Sequence, residues 1–177
     1  MKLKTIKIIS VIGIFLLSFL AHFAYDAFPN VLISIFFPVN ESIWEHMKIL
    51  FTSTILYGII DYILLKKNNI YFNNFKAQLF FTAFISIPIY LIIFLPIYNL
   101  IGENLIVSIS IMLLVYIIIS FISYKMLISD DFKLLNYLSV YLIIIMYFIF
   151  TYLTYFPPHS YLFYDINEKK YGINEYK

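Results

Sequence analysis

An all-α integral membrane bundle of about five transmembrane helices follows from three features of this 177-residue chain. Apolar residues make up 63% and charged residues 12%, against roughly 45–50% and about 25% in soluble domains. Mean hydropathy is +0.90, far above that of a chain too polar to fold. Four stretches, 8–25, 77–102, 104–124 and 134–164, contain no Asp, Glu, Lys or Arg. Each is long enough for the roughly 20 residues that cross the hydrocarbon.

The first span is expected at 5–25. The second is less obvious, because only a short apolar interval separates Lys48 from Asp61. It must run over about 43–65, carrying ionisable groups in its end turns, where snorkelling and water keep their cost modest. The third, fourth and fifth spans are expected at 77–98, 104–126 and 135–156. Residues 27–39 are also apolar, but Pro29 and Pro38 bracket them and as a helix they extend only about 20 Å, against roughly 30 Å of hydrocarbon. That stretch is therefore expected to be interfacial or re-entrant, with its backbone groups covered by protein or water. The whole chain, 1–177, reads as one multi-pass domain ending in a tail from 157 onward.

Lysine sets the expected orientation. With the N-terminus inside, Lys2, Lys4, Lys7, Lys66, Lys67, Lys76, Lys125 and Lys133 share the cytoplasmic side of a cell membrane, and the tail is extracytoplasmic. The tail lysines Lys169, Lys170 and Lys177 run against the rule, partly offset by Asp165, Glu168 and Glu175. The N-terminal charged run before an apolar stretch also looks like a secretory signal peptide. Cleavage after Ala24 would put His22 where a small residue is wanted, so a retained signal-anchor helix is expected.

The composition also excludes functions. Without cysteine there is no disulfide, thiolate zinc site or cysteine nucleophile. Glycines only at 13, 58, 102 and 172 allow neither a phosphate-cradling loop nor a GxxxG interface. A net charge of +2 with no basic patch interleaved with aromatics makes nucleic acid a poor partner. Membrane lipids are the expected surroundings, with a homo-oligomer or a partner membrane subunit as possible company.

In a five-span topology His22, His46 and His159 fall at one side of the membrane. Asp26, Asn40, Glu41, Ser42, Glu45, Lys48 and Asp165 gather at the same level. Ser18, His22, Tyr25 and Asp26 share one face of the first helix, while Ser42, His46, Ser53 and Tyr57 form a stripe on the second. Tyr147, Thr151 and Thr154 do the same on the fifth. Polar stripes avoid lipid, so spans one, two and five are expected to enclose a polar site, with spans three and four as scaffold. Asp61, near the far end of its span, is a weaker candidate: a proton-linked group in a transport reading, or simply a partner of Lys66 or Lys67.

The densest polar run is Pro38-Val-Asn-Glu-Ser-Ile-Trp-Glu-His-Met-Lys48. Much of it suits a helix start: Ser42-x-x-Glu45 is a capping box, and Trp44 fits the interfacial belt. Glu41, His46 and Lys48 exceed what a cap needs. Three imidazoles, His22, His46 and His159, would hold a zinc ion with an open fourth position, and Glu41 or Glu45 would serve as base for its water. Asp26, Asn40, Ser42, Lys48 and Asp165 are the candidate ligand contacts.

On His22-Phe-x-Tyr25, the Pro38–Lys48 run, Pro157-Pro-His-x-x-Leu-Phe163-x-Asp165 and Tyr171-Gly172, the chain resembles a family of small bacterial multi-pass membrane proteins of unknown function. The Asn40–His46 segment is also similar to the first signature of the seven-span progestin-receptor-like and alkaline ceramidase hydrolases, in which histidines and an aspartate hold zinc. This chain departs from them in span number and lacks their terminal histidine pair. Two classes of function follow. One is binding of a lipid headgroup, ion or small solute, as a transport or accessory subunit. The other, implied by the second resemblance, is metal-dependent hydrolysis of a lipid amide or ester.

Overall fold

The computed structural model describes residues 1–102, 104–173 and 175–176, the last two by backbone alone. Helices dominate: α1 (Leu3–His22), α2 (Ala24–Ala27), α3 (Val31–Phe36), α4 (Ile43–Lys67), α5 (Phe75–Ile101), α6 (Leu105–Leu127) and α7 (Lys133–Tyr155). Two-residue strands β1 (Tyr164–Asp165), β2 (Lys170–Tyr171) and β3 (Glu175–Tyr176) pair antiparallel in the order β1-β2-β3. Five of the helices, α1 and α4 to α7, are long and apolar enough to cross a membrane. These five helices overlie the stretches expected from the sequence to within a few residues.

The stretch after the first span does not cross. Asn30 caps α3 by accepting a hydrogen bond from the Ile33 N–H, and the chain is extended again at Phe37. The six-residue helix packs against α7, where Ser34 meets the Tyr155 hydroxyl at 3.0 Å.

Helix α4 is the most enclosed span, packed between α1 and α5, while α6 closes the other side against α1 and α5. Gly13 permits the α1–α4 approach, since a Cβ there would lie 2.0 Å from the Tyr57 ring. The apolar core is aromatic and aliphatic, centred on Phe51, Phe150, Tyr116 and Val115. Polar side chains inside it answer one another across helices, as an unpaired group in hydrocarbon costs several kcal/mol. Ser18 and the Tyr116 hydroxyl are 2.5 Å apart, joining α1 to α6.

Near the lysine-bearing end, Lys7 pairs with Asp61 at 2.5 Å, and Ser10 donates to the other carboxylate oxygen at 2.6 Å. Asp61 therefore takes its partner from α1 rather than from Lys66 or Lys67. Those two sit past the last buried turn and are exposed, whereas Lys7 points inward at 7% exposure.

The polar faces also distribute differently from the expected arrangement of spans one, two and five. The stripe on α7 faces α3 and α4: Tyr147 donates to Thr52, and Thr154 to Glu45. It contributes nothing to the cavity at the site, which α5 and α6 line instead. Tyr90, Phe94 and Tyr98 on α5 carry that role. A scaffold helix rich in aromatics can wall a cavity with few conventional polar groups, which is why residue polarity alone misassigned it.

Candidate functional site

Four residues of the Pro38–Lys48 run build the frame. Ser42 caps α4, accepting a hydrogen bond from the Glu45 N–H at 3.3 Å. The reciprocal half of the capping box is replaced: Glu45 turns away and accepts from the Val39 N–H at 3.0 Å, while the Ser42 N–H donates to Asn40. Glu45 and Lys48 form a buried pair at 2.8 Å, and Lys48 also donates to the Ser34 carbonyl at 2.9 Å, at the end of α3. Thr154 donates to the remaining Glu45 oxygen at 2.7 Å. This pair thus stitches α3, α4 and α7 together.

The tail closes over that frame. Asp165, wholly buried, accepts hydrogen bonds from the backbone N–H groups of Glu41, Asn167 and Glu168. Asn40 donates to the Gly172 carbonyl, and the Trp44 backbone N–H donates to the Leu162 carbonyl. Trp44 stacks on Phe163 with centroids 5.0 Å apart. Gly172 has a positive φ of 56°, and a Cβ there would meet the Thr154 carbonyl oxygen at 2.3 Å. Only glycine suits that contact.

On the other side of the frame, His22 from the last turn of α1 and His46 from the first turn of α4 meet Glu41. The Nε2 atoms of His46 and His22 lie 3.3 and 3.6 Å from the same Glu41 oxygen, Oε2. The imidazole rings stand edge to face, 5.2 Å apart. One ligand atom from each residue lies within 4.8 Å of the other two.

The His46 Nδ1 is 2.9 Å from the Ser42 carbonyl oxygen, which can only accept, so Nδ1 carries the proton. In the neutral ring Nε2 then presents its lone pair to a carboxylate oxygen. Such a contact requires a proton or a cation between the two. With a proton on Nε2, the hydrogen bond from His46 holds the Glu41 carboxyl below its ordinary value, against the opposing effect of partial burial.

A tetrahedral zinc ion with bonds near 2.0–2.1 Å separates its ligand atoms by roughly 3.3–3.5 Å. The spacings around Glu41 Oε2 are of that size. His22 is less fixed than His46, because among the described residues its buried Nδ1 has no hydrogen-bond partner and its ring rests on Phe23.

The chain belongs to DUF6512, a family of unknown function whose model matches residues 1–173. Comparison with curated proteins and with solved structures finds no match.

In this DUF6512 chain the site residues expected from sequence separate into two groups. His22, Glu41 and His46 converge on a cavity of about 120 Å³, with Tyr90, Phe94 and Tyr98 on one wall and Tyr161, Tyr164 and Asn167 of the tail above. The structure does not bring His159 into the histidine cluster: its ring stacks on Tyr171 at 4.6 Å, because the Pro157-Pro158 turn directs the chain toward the strand hairpin. Glu41, expected as a base, takes the third place instead. Glu45, the other expected base, has both oxygens engaged inside the frame. Asn40, Ser42, Lys48 and Asp165 are buried frame residues that do not line the cavity, and Asp26 is exposed on α2 away from it.

What sequence reasoning missed is the aromatic wall. Tyr90, Phe94 and Tyr98 recur every four residues and so share a face of α5, with ring centroids 5.1 and 5.3 Å apart. That spacing was the available signal. The tail's Tyr161 and Tyr164 had none, since they are folded over the site by tertiary contacts of the tail with Glu41, Asn40 and Trp44.

Proposed function

We propose that this DUF6512 protein is a metal-binding multi-pass membrane protein, holding a zinc-class divalent cation between His22, Glu41 and His46 at the extracytoplasmic boundary of the bilayer. The observation that carries this is the convergence of two imidazole Nε2 atoms on one carboxylate oxygen, with His46 already oriented through its far nitrogen. A proton would satisfy one His–Glu pair; a cation satisfies all three groups together. Two neutral imidazoles and a carboxylate form a His₂Glu set with room for a fourth ligand. The cavity beside them gives that fourth position to water or to a small group such as a lipid headgroup.

The test is metal content per chain after purification in detergent and incubation with zinc, beside variants. Wild type and His159→Ala should retain one equivalent, while His46→Ala and Glu41→Ala should retain none and His22→Ala little. A wild type that binds no metal, or a His46→Ala protein that binds it fully, would end this proposal.

A metal-dependent hydrolase acting on a lipid amide or ester is the second reading, favoured by the part-aromatic cavity next to the open position. Binding ranks ahead of it because Glu41, the one carboxylate on the cavity wall among the described residues, is itself a ligand in this arrangement. Metal-loaded protein that turns over an acylated lipid, with Glu41→Ala inactive, would promote hydrolysis above binding.

A further inference from the structure

At the opposite end of the bundle, α1 and α6 leave an open groove of about 360 Å³ between them. Its walls are apolar, from Ile8 and Val11 on α1 and Phe121 on α6, and its mouth carries Lys4 and Tyr124. Lys125 lies beside that mouth, its ammonium 5.5 Å from the Phe121 ring centre. Lys7 borders the groove too, but its charge is cancelled by Asp61. Of the loop carboxylates at this end, Asp131 accepts from Asn136 on α7. Among the described residues neither Lys4 nor Lys125 has a carboxylate partner, so the mouth carries two exposed ammonium groups beside the apolar walls.

We propose that this α1–α6 groove binds one anionic phospholipid, with the phosphate between Lys4 and Lys125 and an acyl chain along Ile8, Val11 and Phe121. Charge complementarity selects the occupant. A zwitterionic lipid brings its own cation into a mouth that already holds two, and a soluble anion leaves the apolar slot unfilled. Phenol and ammonium groups supply donors to phosphate oxygens, while aliphatic and aromatic side chains match hydrocarbon. The site is independent of the histidine cluster, which lies at the other end of the same helix.

Native mass spectrometry of detergent-purified protein titrated with phosphatidylglycerol or phosphatidylcholine tests it. Wild type should hold one phosphatidylglycerol in preference to phosphatidylcholine. A Lys4→Gln/Lys125→Gln double variant should bind it about tenfold or more weakly, as each juxtamembrane lysine is worth roughly a fivefold change. Lys76→Gln/Lys133→Gln, which removes two exposed lysines from the same end but not from the groove, should stay within about twofold. Ile8→Trp, a change at an exposed wall residue that alters no charge, should block the slot and reduce binding. Equal losses in the two lysine pairs, equal retention of the two lipids, or full binding by Ile8→Trp would each overturn the proposal.

Discussion

Glu41 and Glu45 stand four residues apart in one motif, at the same end of one helix, and meet opposite fates. Glu45 is 1% exposed, with a lysine, a threonine hydroxyl and a backbone N–H on its two oxygens. Glu41 leaves its side chain 40% exposed and directs one oxygen at two imidazole nitrogens that are each more than 3.2 Å away. The first carboxylate is saturated by its own fold, as a buried charge must be to persist. The second is held in place by Asp165 through its backbone and left short of partners at its side chain. Saturation suits a structural role, and convergence without saturation is what the proposed ligand site rests on.

The largest break in this comparison should come from the saturated side. Lys48→Met strands a buried carboxylate and is expected to destabilise the protein by about 3–5 kcal/mol, read as a lower midpoint of thermal unfolding in detergent. Glu45→Gln with Lys48→Met should recover much of that loss, since no bare charge remains. If Lys48→Met unfolds with wild type, the pair is not the brace described here.

An intermediate effect is expected at Asp165, which joins the tail to both sides. Asp165→Ala removes the buried acceptor of three partly buried backbone donors, at a cost of about 1–3 kcal/mol, and it loosens the segment that carries Glu41. Zinc affinity should fall by about 10- to 100-fold without any ligand being removed. Asp165→Asn, which keeps one acceptor oxygen, should lose less. Metal affinity unchanged in Asp165→Ala would separate the tail from the site.

The smallest stability effect belongs to Glu41. Glu41→Gln should abolish metal retention yet leave the midpoint of the metal-free protein nearly unmoved, within about 0.5 kcal/mol, as expected for an exposed site. Its pH behaviour has a definite sign. The folded carboxyl titrates below its ordinary value, so Glu41 adds a small stability above that ordinary value and loses it as pH falls through the lowered one. Wild type should therefore lose slightly more stability than Glu41→Gln in that acid window. Identical pH profiles would show that the His46–Glu41 contact contributes nothing to the fold.

The fold was largely legible because bilayer thickness converts charge-free length directly into spanning helices. Even the second span, with Glu45, His46 and Lys48 in its first turns, could be placed from the shortness of the interval up to Asp61. The same arithmetic left 27–39 too short to cross, since two prolines bracket it. His22, His46 and Glu41 could be nominated as residues ending or preceding spans on one side.

Which of the nominees meet was a matter of packing. Glu45 and Lys48 looked like site residues by composition, yet their i,i+3 spacing turns both toward α3 and α7, where burial makes them a brace. His159 is at the right level but faces Tyr171, because the tail hairpin fixes its direction. Lys7 finds Asp61 fifty-four residues away through the packing of α1 on α4. Hydrophobic length is a property of each segment alone, so the linear chain determines it. The choice of neighbour depends on helix rotation and on shape complementarity across the bundle, and these exist only once all five spans have packed.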